Sequence, residues 1–419
     1  MSTIHATAGG GLGALPHLRK PSGAFVHAAV ARQVFRSAIG RLPVRAVFPD
    51  GRTIEGTGGP GAPVFRVVRP RRFFARLGKD TKIGLGEAYL AGDWAVGEET
   101  DLADLFTPFA ARLTTLVPPE LQRFRRVVDQ AIPGHHRNTK AQARDNISAH
   151  YDLSNDLFGL FLDETMTYSS AWFERPGPYR FDDLAAAQLR KIDGVLDAAG
   201  VRAGSTVLEI GTGWGALAVR AAERGALVTS ITLSTQQLQL AAERVARAGV
   251  ASRVQLRLCD YRDVHGSYDA VVSVEMIEAV GYEYWPTYFS AIDRLLAQGG
   301  AACIQAILMP HERMLATRGS FGWIQKYIFP GGLIPSLQAL EQAAGEHTSL
   351  RLTGSTQFGP DYGHTLRLWR QRFAGNWPRV QALGFDETFR RMWEYYLAYC
   401  EAGFRVGYLD VAQLRFTRA

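Results

Sequence analysis

The chain has 419 residues, 47% of them hydrophobic and 21% charged, with a formal net charge of +7. Such a composition fits a soluble globular protein of two or three domains. No run of eighteen apolar residues occurs, which excludes a bilayer-spanning helix, and three scattered cysteines, Cys259, Cys303 and Cys400, exclude a disulfide framework and a zinc site.

The opening stretch, MSTIHATAGGGLGALPHLRK, lacks the apolar core of a signal peptide, so residues 1–33 read as a loose, disordered polar leader of a cytoplasmic protein. Residues 1–79 carry thirteen Lys or Arg against only Asp50 and Glu55, a balance of +11, which leaves −4 for the other 340 residues. The densest cluster, RVVRPRRFFAR, places Arg69, Arg71, Arg72 and Arg76 around Phe73 and Phe74. A patch of this kind suits nucleic acid or lipid headgroups, unless it is simply a solvated face. The aromatics favour a phospholipid surface, with the protein peripheral at the inner face of the cell membrane.

In chain order, AVARQVFRSAIGRLP reads as an amphipathic helix, VRAVFPDGRTIEG as two strands around Pro49-Asp50-Gly51, and VFRVVRP as a third strand. The stretch from Leu85 to Leu113 reads as helices broken by turns. These elements make a small basic α+β domain over residues 34–115. A basic linker, 116–145, joins it to residues 146–419. There, from 185 to 300, helices and strands alternate in the α/β manner: STVLEIG, ALVTSITLS, RVQLRLCD, YDAVVSVEM and AACIQAIL are strands, with helices at LAAAQLRKIDGVLDAAG, GALAVRAAERG, TQQLQLAAERVARAG and YWPTYFSAIDRLLAQGG.

VLEIGTGWGALAV sets Gly211, Gly213 and Gly215, with Trp214 between them, at a strand-to-helix turn, where a ligand can approach the backbone closely. The same spacing satisfies a dinucleotide pattern, G-x-G-x-x-A. A nicotinamide site, however, needs an acid at the end of the second strand for the ribose diol, and that strand ends Ile231-Thr232-Leu233-Ser234. An acid, Glu209, instead precedes the first glycine. S-adenosylmethionine (SAM) is cationic and has no phosphate, so this arrangement favours it; Glu209 as a plain surface acid is the bland alternative. Asp260, after the next strand, is a candidate acceptor for the adenine amino group beside Tyr261, or else a turn residue.

With these features in view, the sequence resembles the cyclopropane-fatty-acyl-phospholipid synthase and mycolic acid methyltransferase family. The matching blocks are HYDLSNDLFGLFLDETMTYSSAWF, VLEIGTGWG, TLS-x-x-Q, SVEMIEAVGYEYW, YIFPGG and YYLAYCEAGFR, in order over about residues 146–410, while LGEAYLAGDW resembles the smaller leading domain of the full-length synthases. The resemblance implies a Rossmann-like SAM-dependent methyltransferase sheet with helical insertions. It also implies methyl transfer to a cis double bond in a phospholipid acyl chain. Tyr168, Ser169, Gly211, Gly213, Thr232, Ser234, Gln237, Tyr261 and Arg262 would line the cofactor site, and ETMTYSSAWF would be the wall between cofactor and alkene. The resulting carbocation calls for a water-free chamber with aromatic faces; Tyr151, Phe173, Tyr282, Trp285, Trp323, Tyr327 and Tyr362 are candidates, as is His150 for the chemistry.

In the resembling synthases a bicarbonate, held by a Cys, a Glu, a His, a backbone position and a Tyr, is the final base. Glu278 and Tyr362 match that pattern, but the Cys and His positions are Ser170 and Gln305, which puts bicarbonate in doubt. A protein carboxylate, Glu164 or Glu278, is then expected to take the proton. EMIEAVGYEYW, IQAILMPHERM and WIQKYIFPGG resemble the actinobacterial branch that makes 10-methyl acids such as tuberculostearic acid. This implies an exocyclic methylene product, later saturated by a flavin- or nicotinamide-dependent reductase; a cyclopropane is the alternative. A nucleic-acid methyltransferase lacks support, since neither an Asn-Pro-Pro-Tyr nor a Pro-Cys motif is present. A non-catalytic lipid carrier is at odds with the intact glycine loop. A homo-oligomer is possible.

Overall fold

The computed structural model describes residues 25–112, 154–174 and 176–419. The expectations for residues 1–24, for the basic linker and for His150 and Tyr151 fall outside those residues.

Helix α1 (Phe25–Arg41) begins inside the stretch expected to be a leader. Its Ala31, Phe35 and Ile39, one turn apart on a single face, are buried, as the amphipathic reading of AVARQVFRSAIGRLP expects; the helix starts one turn earlier than that stretch. It packs on α2 (Pro70–Lys79), which starts with a proline at its first turn. Strands β1 (Arg45–Val47), β2 (Thr53–Glu55), β3 (Val64–Val67) and β4 (Trp94–Val96) form a sheet in the order β2-β1-β3-β4. Strand β4 lies within a stretch expected to be helical. It follows α3 (Thr81–Leu90) and precedes α4 (Leu102–Ala111), whose N-terminus is capped by Asp101.

Phe73 and Phe74 do not face a membrane. They are 0% and 1% exposed and, with Phe35, Phe65 and Trp94, make the core of this region. The basic cluster is also smaller than it looks in the sequence. Arg76 is buried and donates to Asp93 at 2.8 Å, and Arg69 lies 3.5 Å from the same carboxylate. Arg66 and Arg71 remain exposed.

The second sheet contains β5 (Thr206–Ile210), β6 (Leu227–Thr232), β7 (Val254–Leu258), β8 (Tyr268–Val274), β9 (Leu296–Leu308), β10 (Leu350–Gln357) and β11 (Asp410–Arg418). Their order is β10-β11-β9-β8-β5-β6-β7, with β5 to β9 mutually parallel and β11 antiparallel to both its neighbours, β9 and β10. Helices α5 (Leu184–Ala198), α6 (Ala216–Glu223), α7 (Thr235–Arg247) and α8 (Trp285–Leu295) connect and flank these strands. The expected helix over 284–300 ends at Leu295. Gly299 there adopts φ +76°, and a side chain on Gly300 would meet the Asp269 carbonyl at 2.8 Å, so the backbone enters the sheet where helix composition alone would continue.

Between β10 and β11 the chain forms α9 (Gly359–Gly375) and α10 (Glu387–Arg405), which pack on each other and, through α10, on α3 and α4. One hydrophobic cluster therefore runs from Ala31 through Phe158, Tyr168 and Trp369 to Val411. Arg370 joins the two parts, donating to Asp101 at 2.8 Å and to the fully buried Glu401 at 2.9 Å.

Candidate active site

Strand order changes direction at β5: the chain goes from β5 to β6 on one side and reaches β8 on the other. In open α/β sheets the crevice at the carboxyl ends of strands around such a point is where ligands bind. A cavity lies there. It is lined by Met166 to Ser169, by the loop after β5, by the ends of β6 and β8, and by Tyr261.

The glycine loop follows from its backbone. Gly211, Gly213 and Gly215 hold φ of +101°, +52° and +90°, which other residues adopt only with strain. Gly211 and Gly213 line the cavity with Trp214, whose indole donates to Asn155 at 2.8 Å. Gly215 is instead the N-cap of α6, against Ala241. Thr232 and Gln237 line the cavity and hydrogen-bond each other at 2.9 Å, while Ser234 caps α7 through the Gln237 amide.

Like Gly215, the expected Ser234, Asp260 and Arg262 are not among the lining residues; Arg262 donates to both Asp260 oxygens, at 2.8 and 2.6 Å. That ion pair fixes the turn and leaves Tyr261 to present its ring to the cavity.

Glu209 is buried and lines the cavity, accepting a hydrogen bond from the Ser230 hydroxyl. Burial pushes its carboxyl up to about 8, against the opposing effects of Ser230 and Lys191. Lys191, which sequence reading did not single out, is fully buried and donates from Nζ to the Ser169 hydroxyl. Burial lowers its ammonium to about 8, opposed by Glu275, Asp163 and Glu209. A signal was available: Leu184, Ala187, Gln188, Lys191, Ile192 and Val195 follow the helical period of the buried face of α5, and two of them are polar. Both hold the wall, since Gln188 donates to the Ser169 carbonyl at 2.9 Å.

The wall itself is as expected from ETMTYSSAWF only in part. Tyr168 and Ser169 face the cavity; the Tyr168 hydroxyl meets that of Tyr396 at 2.9 Å, and its ring stacks on Trp369. Glu164 is exposed, and its carbonyl accepts from Arg244. Glu278 is not among the lining residues: one oxygen accepts from the Ile307 amide, and the other is buried without a hydrogen-bond partner among the described residues. Tyr327 donates to Glu87 of α3 at 2.8 Å, away from the lining. Phe173 stacks on Tyr179, Trp285 is buried in the core behind β8, and Tyr282 is 44% exposed. The aromatic residues that do line the cavity are Tyr168, Trp214 and Tyr261.

Ser170, Gln305 and Tyr362 do converge, but on Glu275 rather than Glu278. The Ser170 amide and Gln305 Nε2 donate to Glu275 Oε1 at 2.8 and 2.9 Å, and the Tyr362 hydroxyl donates to Oε2 at 2.7 Å. Glu275 lines the cavity at the end of β8 with φ +49°.

A phosphate-free cation fits this donor set. Glu209 and Glu275 present two carboxylates against the one ammonium of Lys191, no arginine lines the cavity among the described residues, and the glycines let a ligand approach the loop backbone beside Thr212 and Trp214. SAM would be held by the 211–214 loop, Thr232, Gln237 and Tyr261.

The family model for mycolic acid cyclopropane synthetase matches residues 138–414. Tuberculostearic acid methyltransferase UfaA1 of Mycobacterium tuberculosis is 53% identical over 93% of this chain and 91% of its own length. The cyclopropane-fatty-acyl-phospholipid synthase of Escherichia coli is 33% identical over 85% of this chain and 88% of its own. Among solved structures, mycolic acid cyclopropane synthase CmaA1 complexed with SAH and CTAB superposes with a TM-score of 0.59 at 34% identity, over 65% of this chain and 97% of that one. This chain therefore belongs to the mycolic acid cyclopropane synthetase family and is a SAM-binding fatty-acyl methyltransferase of the cyclopropane synthase type.

Proposed function

We propose that the enzyme methylates the cis double bond of an unsaturated phospholipid acyl chain such as oleoyl and releases a 10-methylene chain, the precursor of a 10-methyl branched acid. The observation that carries this reading is the 53% identity to a tuberculostearic acid methyltransferase across nearly both full lengths. SAM, when bound, supplies an electrophilic methyl group. The residues of the chain do the rest: Glu209 offsets the cofactor's positive charge, Tyr168 and Trp214 give the cavity aromatic faces, and the cluster of Phe158, Phe161, Trp369 and Trp393 behind Tyr168 keeps water out.

The acyl chain is drawn from a phospholipid surface. The exposed Arg66 and Arg71, and Val30 and Val34 exposed beside Arg32 and Arg36 on α1, support an anionic membrane as the partner of the N-terminal region. Among the described residues no helix is long and apolar enough to cross a membrane. A methylene product is still an alkene, so a hydride-donating flavin or nicotinamide reductase would complete the branch.

The test is to incubate the protein with oleoyl phospholipid vesicles and methyl-deuterated SAM. Labelled lipid retaining two of the three deuteriums, with the vinylidene signal of an exocyclic =CD2 by deuterium NMR, is expected. A cyclopropane signal overturns the product assignment, and absence of label from lipid overturns the reading as a whole.

A further inference from the structure

We propose that Glu275 is the catalytic base: its carboxylate, and no diffusible ion, takes the proton lost by the methylated acyl chain. The proposal rests on the reading that a methyl group is added to an alkene.

Glu275 directly follows β8 at the crevice beside β5 and lines the cavity with Gly211, Met276, Tyr168 and Ser169. The other two carboxylates weighed for this role are elsewhere: Glu164 is exposed, and Glu278 does not line the cavity, one of its oxygens accepting from the Ile307 amide.

Three donors reach Glu275: the Ser170 amide, Gln305 Nε2 and the Tyr362 hydroxyl. Gln305 has its donor end turned inward because its oxygen accepts from Gln413 Nε2 at 3.2 Å, and Gln413 is itself fixed by donating to the Lys191 carbonyl at 2.8 Å. A site made only of donors is built for an anion. The positions that the family resemblance assigns to a bicarbonate cradle, Ser170, Gln305 and Tyr362, are thus occupied in holding a carboxylate that belongs to the chain.

Lone-pair counting locates the receiving atom. Each carboxylate oxygen can accept two hydrogen bonds. Oε1 has both places filled, by Ser170 and Gln305, whereas Oε2 accepts one, from Tyr362, and keeps one free for a proton.

The backbone supplies a separate observation. Glu275 and Met166 are the non-glycine residues with left-handed φ among those described, and both line the cavity. A glycine at 275 would take φ +49° without strain, and a glutamate there costs on the order of 1 kcal/mol. Strain of this sort is retained where the side chain is required.

The step balances without a further reactant. Methyl addition to one alkene carbon leaves the adjacent carbon cationic, and a hydride shift moves the charge to the methyl-bearing carbon. A C–H bond of the new methyl then breaks, its electron pair becomes the second bond of the exocyclic methylene, and the proton bonds to Oε2 of Glu275. Ring closure in place of the shift delivers the same proton to the same oxygen. Glu275, now neutral, returns the proton to solvent before the next turnover.

The test uses the full chain, with Glu275→Gln, which keeps the shape, and Glu275→Gly, which removes the strain and opens a space. SAH affinity, read by calorimetry, stays within about threefold of wild type in Glu275→Gln, while labelled lipid formed in bicarbonate-free buffer falls by at least about a hundredfold. Added formate raises the output of Glu275→Gly by about tenfold or more and leaves Glu275→Gln unchanged. The proposal is overturned if Glu275→Gln labels lipid within about threefold of wild type, if SAH affinity falls with activity, if formate fails to revive Glu275→Gly, or if the wild type requires added bicarbonate. The wild-type arm separates the two readings: a cyclopropane product there changes the product assignment and leaves the base in place, and a wild type that labels no lipid overturns the substrate reading before any variant is compared.

Discussion

Glu209 makes the charge of the cavity pH-dependent, and cofactor binding should report it. In the ligand-free protein burial raises its carboxyl to about 8, so at neutral pH it is mostly protonated. A cationic ligand in the same cavity favours the ionised form, and binding at pH 7 must first remove the proton. Each pH unit below 8 then costs about 1.4 kcal/mol, or a factor of ten. Wild-type SAM affinity should accordingly rise as pH increases, by close to a hundredfold between pH 6 and pH 9, and level off above 8. Lys191, which loses its charge near 8 in the same surroundings, pushes in the same direction. Glu209→Gln removes the first contribution and leaves the second. Its affinity should be about tenfold or more below wild type at pH 9, approach wild type at pH 6, and show a shallower slope between. Calorimetric titration of SAM at four pH values on both proteins gives the two curves. Parallel curves, or a Gln variant that binds as tightly as wild type at pH 9, would refute the electrostatic role assigned to Glu209.

Other expectations are more local. Gly213→Ala should cost only about 1 kcal/mol of ligand-free stability, since its φ is +52° and an added methyl would meet nothing within 4 Å; SAM affinity should nevertheless fall tenfold or more, on the order of 1.4 kcal/mol, because the methyl enters the space lined by the loop. Arg370→Met should lower stability by roughly 3 kcal/mol in thermal melts, because Glu401 loses a partner in the core and Asp101 loses its bridge to α9. Glu278→Gln addresses pH and stability together. Burial, with Glu275 nearby, raises the Glu278 carboxyl from 4.5 to about 8, so the folded state holds a proton that the unfolded chain releases. Its contribution is fully present below about 4.5 and is lost as pH rises through 8. The Gln variant should therefore have a flatter melting profile over that range than wild type, and a profile as steep as wild type would exclude Glu278 as the cause.

The sequence by itself determined those features that are local in the chain. The βα alternation, the three glycines at a strand-to-helix turn and the acid just before them are all defined within a dozen residues, and hydrophobic period and backbone freedom suffice to read them. The strands near the C-terminus were not legible in this way, since β10 and β11 are strands because they complete a sheet edge beside β9. Nor was the burial of Phe73, Phe74 and Arg76, where a run that looks like a basic surface is in fact an amphipathic helix with its arginine matched to Asp93.

Tertiary structure alone decided which carboxylate the site is built around. Glu275 and Glu278 sit three residues apart in SVEMIEAV and are equivalent by composition. The left-handed turn at Glu275 sends one side chain into the crevice, and its partners Ser170, Gln305 and Tyr362 come from positions 105, 30 and 87 residues away. Contacts over such separations are set by strand order and helix packing, which no local pattern encodes, so the donors could be named from the sequence while the acceptor they serve could not.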